Sequence, residues 1–190
     1  MKEIADLICH PLAVIFRRSL EEGIVPDDWR FANVSPIYKK GSRSQVSNYL
    51  PVSLTSQACK VFEAIIRDVI MEHLLMNKLV RSSQHGFLWG RSCLSNLLTF
   101  LDKVTELVDH GYAVDAIYLD FAKAFDKVPY VRLMHKVRAH GIRGLVGNWI
   151  ENWLSGRQQK VCVECFGSPW AYVTSGVSHG SVLGPCRACV

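Results

Sequence analysis

The residues best suited to chemistry lie in Tyr118-Leu119-Asp120-Phe121-Ala122-Lys123-Ala124-Phe125-Asp126-Lys127-Val128. The apolar run before the acid, residues 113–119, predicts a largely buried strand that ends on Asp120. A carboxylate beside a core strand is costly to bury unless a cation or hydrogen-bond donors meet it. Asp120 is therefore a metal-site candidate. Spacing alone favours a plainer role, in which Asp120 opens a turn, caps the next helix or pairs with Lys123. A second set of candidates is cationic: Lys39, Lys40 and Arg43 in the polar stretch 39–48, and Arg91 further on. Such groups either meet phosphate oxygens or form a solvated basic surface.

The elements that would position these groups follow from periodicity. Residues 7–22 predict an amphipathic helix stopped by Gly23. Residues 26–29 read as a turn, and 30–38 as an extended segment. Residues 55–77 predict the longest helix, with Val61, Phe62, Ile65, Ile66, Val69 and Ile70 on its apolar face. Residues 92–110 predict another, capped by Ser92, ended by Gly111, and striped with Leu94, Leu97, Leu98, Leu101, Val104 and Val108. Both stripes read as core. Helices at 131–140 and 145–154 and a hairpin over 157–174, turning at Gly167-Ser168, complete the chain. Long helices among non-sequential strands imply an α+β fold.

The 190 residues can bury one good core. A net charge of +5 permits a polyanionic partner without demanding one. No signal peptide is evident and no run is long enough to span a bilayer, so an intracellular protein, cytoplasmic or nuclear, with reduced thiols is expected. Among the seven cysteines, Cys162-x-x-Cys165 and Cys186-x-x-Cys189 are spaced like a zinc ribbon. Against this, residues 160–165 alternate like a strand, where positions three apart face opposite ways. Coincidence is the favoured reading, and a small zinc module the lesser one. Cys9, Cys59 and Cys93 read as small core residues within helices.

The stretch around Asp120 resembles the first catalytic motif of reverse transcriptases, in the form used by non-LTR (LINE-type, jockey-like) retrotransposons. Further segments resemble the same family in the expected order: Pro36-Ile37-Tyr38-Lys39-Lys40-Gly41, Asn48-Tyr49-Leu50-Pro51-Val52-Ser53-Leu54, Gln84-His85-Gly86-Phe87 with Gly90-Arg91-Ser92, and Ser175-Gly176-Val177-Ser178-His179-Gly180-Ser181-Val182-Leu183-Gly184-Pro185. The resemblance implies the fingers and an incomplete palm of a right-hand polymerase over residues 1–185, a divergent tail at 186–190, and no thumb. It implies RNA-directed DNA polymerase chemistry on an RNA template and a DNA primer, with two Mg²⁺ ions. Asp120 and the carbonyl of Phe121 would be metal ligands, and Asp120 the catalytic acid. Phe125 would lie against the deoxyribose, and Gly176, His179 and Gly180 would pack on the new base pair. Lys39, Lys40, Arg43, Gly86, Phe87 and Arg91 would meet nucleic acid.

The chain also departs from the family pattern. Leu50 stands where an arginine is usual, Leu88-Trp89 where Arg-Lys is usual, and Ser178-His179 where Pro-Gln is usual. The aromatic-x-Asp-Asp hairpin expected beyond Pro185 is missing. A truncated domain is therefore expected, inactive as this polypeptide and poorly folding. The alternatives are a residual nucleic-acid-binding module and, less favoured, the zinc module.

Overall fold

The first helix, α1 (Ala5–Glu22), ends where the sequence predicts, with Gly23 in the left-handed region at φ 66°. A short 3-10 turn at Asp27–Trp29 leads into β1 (Phe31–Tyr38). The chain returns as β2 (Tyr49–Leu54), a strand the periodicity did not single out, and enters α2 (Gln57–Met76). Then come α3 (Cys93–Asp109), α4 (Tyr130–Ala139) and α5 (Gly144–Leu154). The last strands are β3 (Gln158–Val163), β4 (Phe166–Gly167) and β5 (Ala171–Tyr172). The computed structural model describes residues 4–121, 124–177 and 180–184. The α+β expectation holds for this arrangement.

The strands form one mixed sheet in the order β2-β1-β3-β4, with β5 also paired to β3. β1 and β2 are antiparallel, with Val34 opposite Ser53. β1 and β3 are parallel, with Phe31 opposite Gln158 and Val34 opposite Val161. A parallel pair needs a long crossover, and α2 to α5 supply it. The final hairpin turns earlier than predicted. Val163 pairs with Phe166, so the reversal falls at Glu164-Cys165, where Glu164 adopts φ 51°.

The core lies among α1, α2, α4 and α5. Phe16 stacks on Phe62 at 4.7 Å, and Phe62 meets Trp149 edge-on at 5.0 Å. Trp29, Ile66, Ile70, Leu74, Leu133, Met134, Val137, Trp153 and Leu154 close around them. Trp149 is fully buried, and its indole N–H donates to Ser19 Oγ at 2.9 Å. That hydroxyl in turn donates to the Ile24 carbonyl at 2.6 Å, which satisfies the chain just past α1. Each large side chain buried here contributes about 1.5–3 kcal/mol. The sheet is joined to the bundle by Arg30, whose guanidinium donates to the Asn152 and Ser155 carbonyls and to Asn152 Oδ1.

Several expectations are corrected. On α2, Phe62, Ile66 and Ile70 are buried, whereas Val61, Ile65 and Val69 are exposed. The apolar face is narrower than the sequence suggests. Helix α3 forms as predicted, and Ser92 and Ser95 make a reciprocal capping box at its start. Its stripe is not core, however: Leu94, Leu97, Leu98, Leu101 and Val108 are exposed and Val104 is half-buried. The predicted strand at 113–119 is absent. Residues 112–121 have no regular structure, and Ile117, Tyr118 and Leu119 are more than 80% exposed. A strand needs a neighbour to take its backbone hydrogen bonds, and no described strand pairs there. Of the cysteines read as core, Cys59 is buried but Cys9 and Cys93 are exposed.

Candidate functional site: a turn stitched between a loop, a strand and a helix

Residues 125–128 follow the segment that carries Asp120, and residues 175–177 come from beyond β5. Backbone hydrogen bonds lace the two together. The Val177 N–H donates to the Phe125 carbonyl and the Gly176 N–H to the Val128 carbonyl, each at 2.9 Å. Ser175 Oγ donates to the Asp126 carbonyl at 3.3 Å. Gly176 adopts φ 83°, and a Cβ there would lie 2.5 Å from the Asp126 carbonyl oxygen. Only glycine permits this approach. Gly180, at φ 109°, repeats the device against β2, where a Cβ would sit 2.8 Å from the Ser53 carbonyl oxygen.

A cleft of about 330 Å³ opens between these pieces, lined among others by Pro51, Ser53, Asp126, Gln159, Ser175 and Gly176. Phe125 is half-buried and rests against the hydrophobic core. Residues 175–177 are thus held against 125–128, Gly180 lies against strand β2, and residues 182–183 are held by helix α2. From that helix Glu63 Oε2 accepts the Val182 and Leu183 N–H groups. Neither Glu63 nor its buried companion Arg157 was found from the sequence. The signal was legible for Glu63, an acid spaced with Cys59, Ile66 and Ile70 on an otherwise apolar helix face. Burial pushes the Glu63 carboxyl up, against the hydrogen bonds from Leu183, Val182 and Cys59 that hold it down. Burial likewise pushes the Cys59 thiol far up, which leaves it protonated and inert.

The predicted site residues fall into distinct groups. Phe125, Gly176 and Gly180 come together around the laced turn, while His179 lies outside the described residues. Lys39, Lys40 and Arg43 are exposed on the β1–β2 connection. That loop is shaped rather than slack. The Lys39 N–H donates to the Asn48 carbonyl at 2.9 Å, Asn48 Nδ2 donates to the Ser42 carbonyl at 2.8 Å, and the Arg43 guanidinium lies 5.3 Å from the Tyr38 ring centre. Gly86, Phe87 and Arg91 occupy the loop before α3. Arg91 donates to the Ser82 and Gln84 carbonyls, so it braces that loop from within. Phe87 is exposed at φ 61°.

Asp120 and Phe121 are exposed in the irregular segment, not at the end of a buried strand. Asp120 offers one carboxylate. Among the described residues no group of three or more His, Cys, Asp or Glu side chains could hold a metal ion. Mg²⁺ is bound through oxygen ligands in near-octahedral order, and one exposed acid does not build that shell. Cys162 is half-buried in β3 and Cys165 is exposed at the turn, while Cys186 and Cys189 lie outside the described residues.

Comparison with known proteins decides what this assembly belongs to. Residues 37–190 match the family described as Reverse transcriptase (RNA-dependent DNA polymerase). The chain belongs to the reverse transcriptase family. Its relatives include the RNA-directed DNA polymerase from mobile element jockey of Drosophila melanogaster, 30% identical over 92% of this chain and 19% of that protein. The probable RNA-directed DNA polymerase from transposon X-element of the same organism is 26% identical over 94% of this chain and 20% of that protein. The one from transposon BS is 27% identical over 92% and 19%. This reverse transcriptase chain therefore spans about one fifth of the length of the relatives it matches. It is a non-LTR retrotransposon reverse transcriptase domain, carrying the cationic β1–β2 loop and the laced residues 175–177 on one sheet-and-helix framework.

Proposed function

We propose that this chain forms the template- and nucleotide-facing part of an RNA-directed DNA polymerase, and that as this polypeptide it binds a primer–template duplex without extending it. The observation that carries the reading is the lacing of residues 175–177 onto 125–128. It draws two stretches that resemble separate polymerase motifs to the rim of one cleft. In this reading Gly176 and Gly180 bring bare backbone close to a base pair, and Phe125 flanks the sugar. Lys39, Lys40 and Arg43 meet phosphates at the tip of the β1–β2 loop, and Gly86 and Phe87 meet the template. Arg91 acts from behind by holding the 82–91 loop in shape.

Asp120 is proposed as one ligand of the Mg²⁺ that such polymerases use, with the Phe121 carbonyl beside it. The two-metal reaction needs ions bridged between carboxylates and substrate phosphates, and the described residues contribute one such acid. No step of phosphoryl transfer is assigned to them. Among the described residues no helix is long and apolar enough to cross a membrane. An intracellular site of action, in cytoplasm or nucleus, is proposed with the polymerase reading.

The test is paired. Fluorescence anisotropy with an RNA template annealed to a DNA primer should show binding that weakens steeply as salt rises. Primer extension with Mg²⁺ or Mn²⁺ on the same preparation should show no incorporation. Absence of binding at low salt would sink the first half. Template-dependent incorporation abolished by Asp120→Asn would sink the second.

A further inference from the structure

Among the described residues, two charged side chains lie sunk in the core: Glu63, with no exposed surface, and Arg157, 5% exposed. A carboxylate isolated among apolar side chains is costly unless donors meet it. The donors that meet Glu63 are informative. Its Oε2 accepts the Val182 N–H at 2.7 Å and the Leu183 N–H at 3.2 Å, and its Oε1 accepts the Cys59 thiol at 3.4 Å. The Gly184 N–H donates to Ser181 Oγ at 2.9 Å, a bond internal to the turn. Within residues 181–184, the described hydrogen bonds that leave the turn both end on Glu63 Oε2. Leu183 is itself buried in the core and supplies a hold that has no direction. The carboxylate supplies direction, because one oxygen fixes two successive N–H groups at once.

Arg157 completes the arrangement. Its guanidinium lies 5.1 Å from the centre of the Trp153 ring, and its Nη1 has no hydrogen-bond partner. Its positive charge acts on Glu63 in the sense that favours the carboxylate. Burial outweighs that attraction, so the Glu63 carboxyl still sits above its ordinary pKa, and its hydrogen bonds go to the turn and to Cys59.

We propose that Glu63 is a positioning residue: from inside α2 its carboxylate seats the 181–184 turn, and so sets how near Gly180 stands to the Ser53 carbonyl of strand β2. This rests on the reading that Gly176 and Gly180 face the nascent base pair. Glu63 touches no substrate. It acts through the backbone of Val182 and Leu183.

Backbone amide exchange on the full chain tests this, using Glu63→Gln and Glu63→Met. Glutamine keeps an oxygen that can accept both N–H groups, whereas methionine fills the volume and accepts neither. In Glu63→Met, exchange at Val182 and Leu183 should quicken by about tenfold or more, with α2 amides such as Ile66 and Ile70 unchanged. In Glu63→Gln it should stay near the wild-type rate. Equal rates in wild type and Glu63→Met would overturn the proposal. If Glu63→Met does not fold, the other two chains decide. Unprotected Val182 and Leu183 amides in folded wild type overturn it, as does their release in a folded Glu63→Gln. Slow exchange retained in both supports it.

A second arm adds primer–template and the next complementary deoxynucleotide, and reads the amides of Gly176, Val177, Val182 and Leu183. Nucleotide-dependent slowing in wild type and Glu63→Gln, lost in Glu63→Met, supports positioning. Slowing kept in Glu63→Met overturns it. No slowing in wild type counts against the polymerase reading of the turn, while the free-chain rates still decide whether Glu63 seats it.

Discussion

The Val177 N–H donates to the Phe125 carbonyl at 2.9 Å, and one residue earlier Gly176 packs so tightly that a Cβ would stand 2.5 Å from the Asp126 carbonyl oxygen. Two distant stretches of sequence are therefore held in contact by their main chains. The close approach is made by backbone atoms, so the main chain there tolerates little change.

Substitution at the two turn glycines should be costly for that reason. Gly176→Ala meets both a left-handed φ and main-chain atoms that cannot swing aside, and should destabilise the fold by about 2 kcal/mol or more. Gly180→Ala meets the Ser53 carbonyl oxygen at 2.8 Å and should behave similarly. Gly90→Ala is the control, because nothing lies within 4 Å of its Cβ position and only the φ of 73° resists it. Chemical denaturation of the three variants should rank Gly176→Ala well below Gly90→Ala.

Titration of Glu63 should leave a mark on acid stability. Burial raises its folded pKa above the ordinary glutamate value near 4.5. Above that value and below the raised one, the folded chain keeps a proton that the unfolded chain has lost. Stability contributed by this group is full below 4.5 and declines as pH climbs through the folded pKa. Glu63→Gln has nothing to titrate there. Melting temperatures followed from about pH 4 to about pH 7 should move in favour of the glutamine variant. A constant difference between the two chains would contradict the burial argument.

The cations of the β1–β2 connection should govern salt dependence. Each phosphate contact released lowers the slope of log K against log salt by about 0.7–0.9. Replacing Lys39, Lys40 and Arg43 together with alanine should reduce the slope by about 2 to 3. Arg91→Ala should instead loosen the 82–91 loop, with little change in slope. An Arg91 variant that lost as much slope as one of the loop cations would show that its guanidinium reaches a phosphate after all.

Core and stripe should respond oppositely to mutation. Trp149→Ala removes a fully buried ring and the indole bond to Ser19, and should cost about 3–5 kcal/mol. Leu97→Ser and Leu98→Ser sit on the exposed face of α3 and should change stability by no more than about 0.5 kcal/mol. They should improve solubility, since contiguous exposed apolar surface promotes association. Urea unfolding and light scattering on the same samples separate the two effects.

Much of the framework was legible from the residues. Helix α1 with its Gly23 stop, β1, α4 and α5 follow from periodicity and terminal residues, because those elements bury the face that the pattern marks. The pattern fails where it names a face but not a partner. Leu94, Leu97, Leu98 and Leu101 recur at helical spacing, and α3 duly forms, yet no described element covers them. Residues 113–119 are apolar enough for a strand, but apolarity does not supply the hydrogen-bonding neighbour that a strand requires. The site was legible as motifs and not as geometry. Nothing in the glycines at 176 and 180 says which carbonyl each will meet. Glu63 could have been caught, since a charged residue at a core position of a helix asks for partners.

The parallel pairing of β1 with β3 has a consequence for the order of events during synthesis. Arg30, at the head of β1, finds Asn152 across 122 positions of chain, and the strand that flanks β1 follows later still. During translation the β1–β2 hairpin emerges early with one side closed and the other open. It must wait, edge bare, until four helices have left the ribosome. Pairings of such long sequence separation are slow to close, and an open strand edge invites other chains in the meantime. Pro36 sits within β1, and proline cannot donate to a ladder. It lies beyond the stretch that β3 covers, which runs only from Phe31 to Val34. The outer half of the waiting edge is thus poorly suited as a template for intruding strands, and the half that can be templated is the half that β3 eventually occupies.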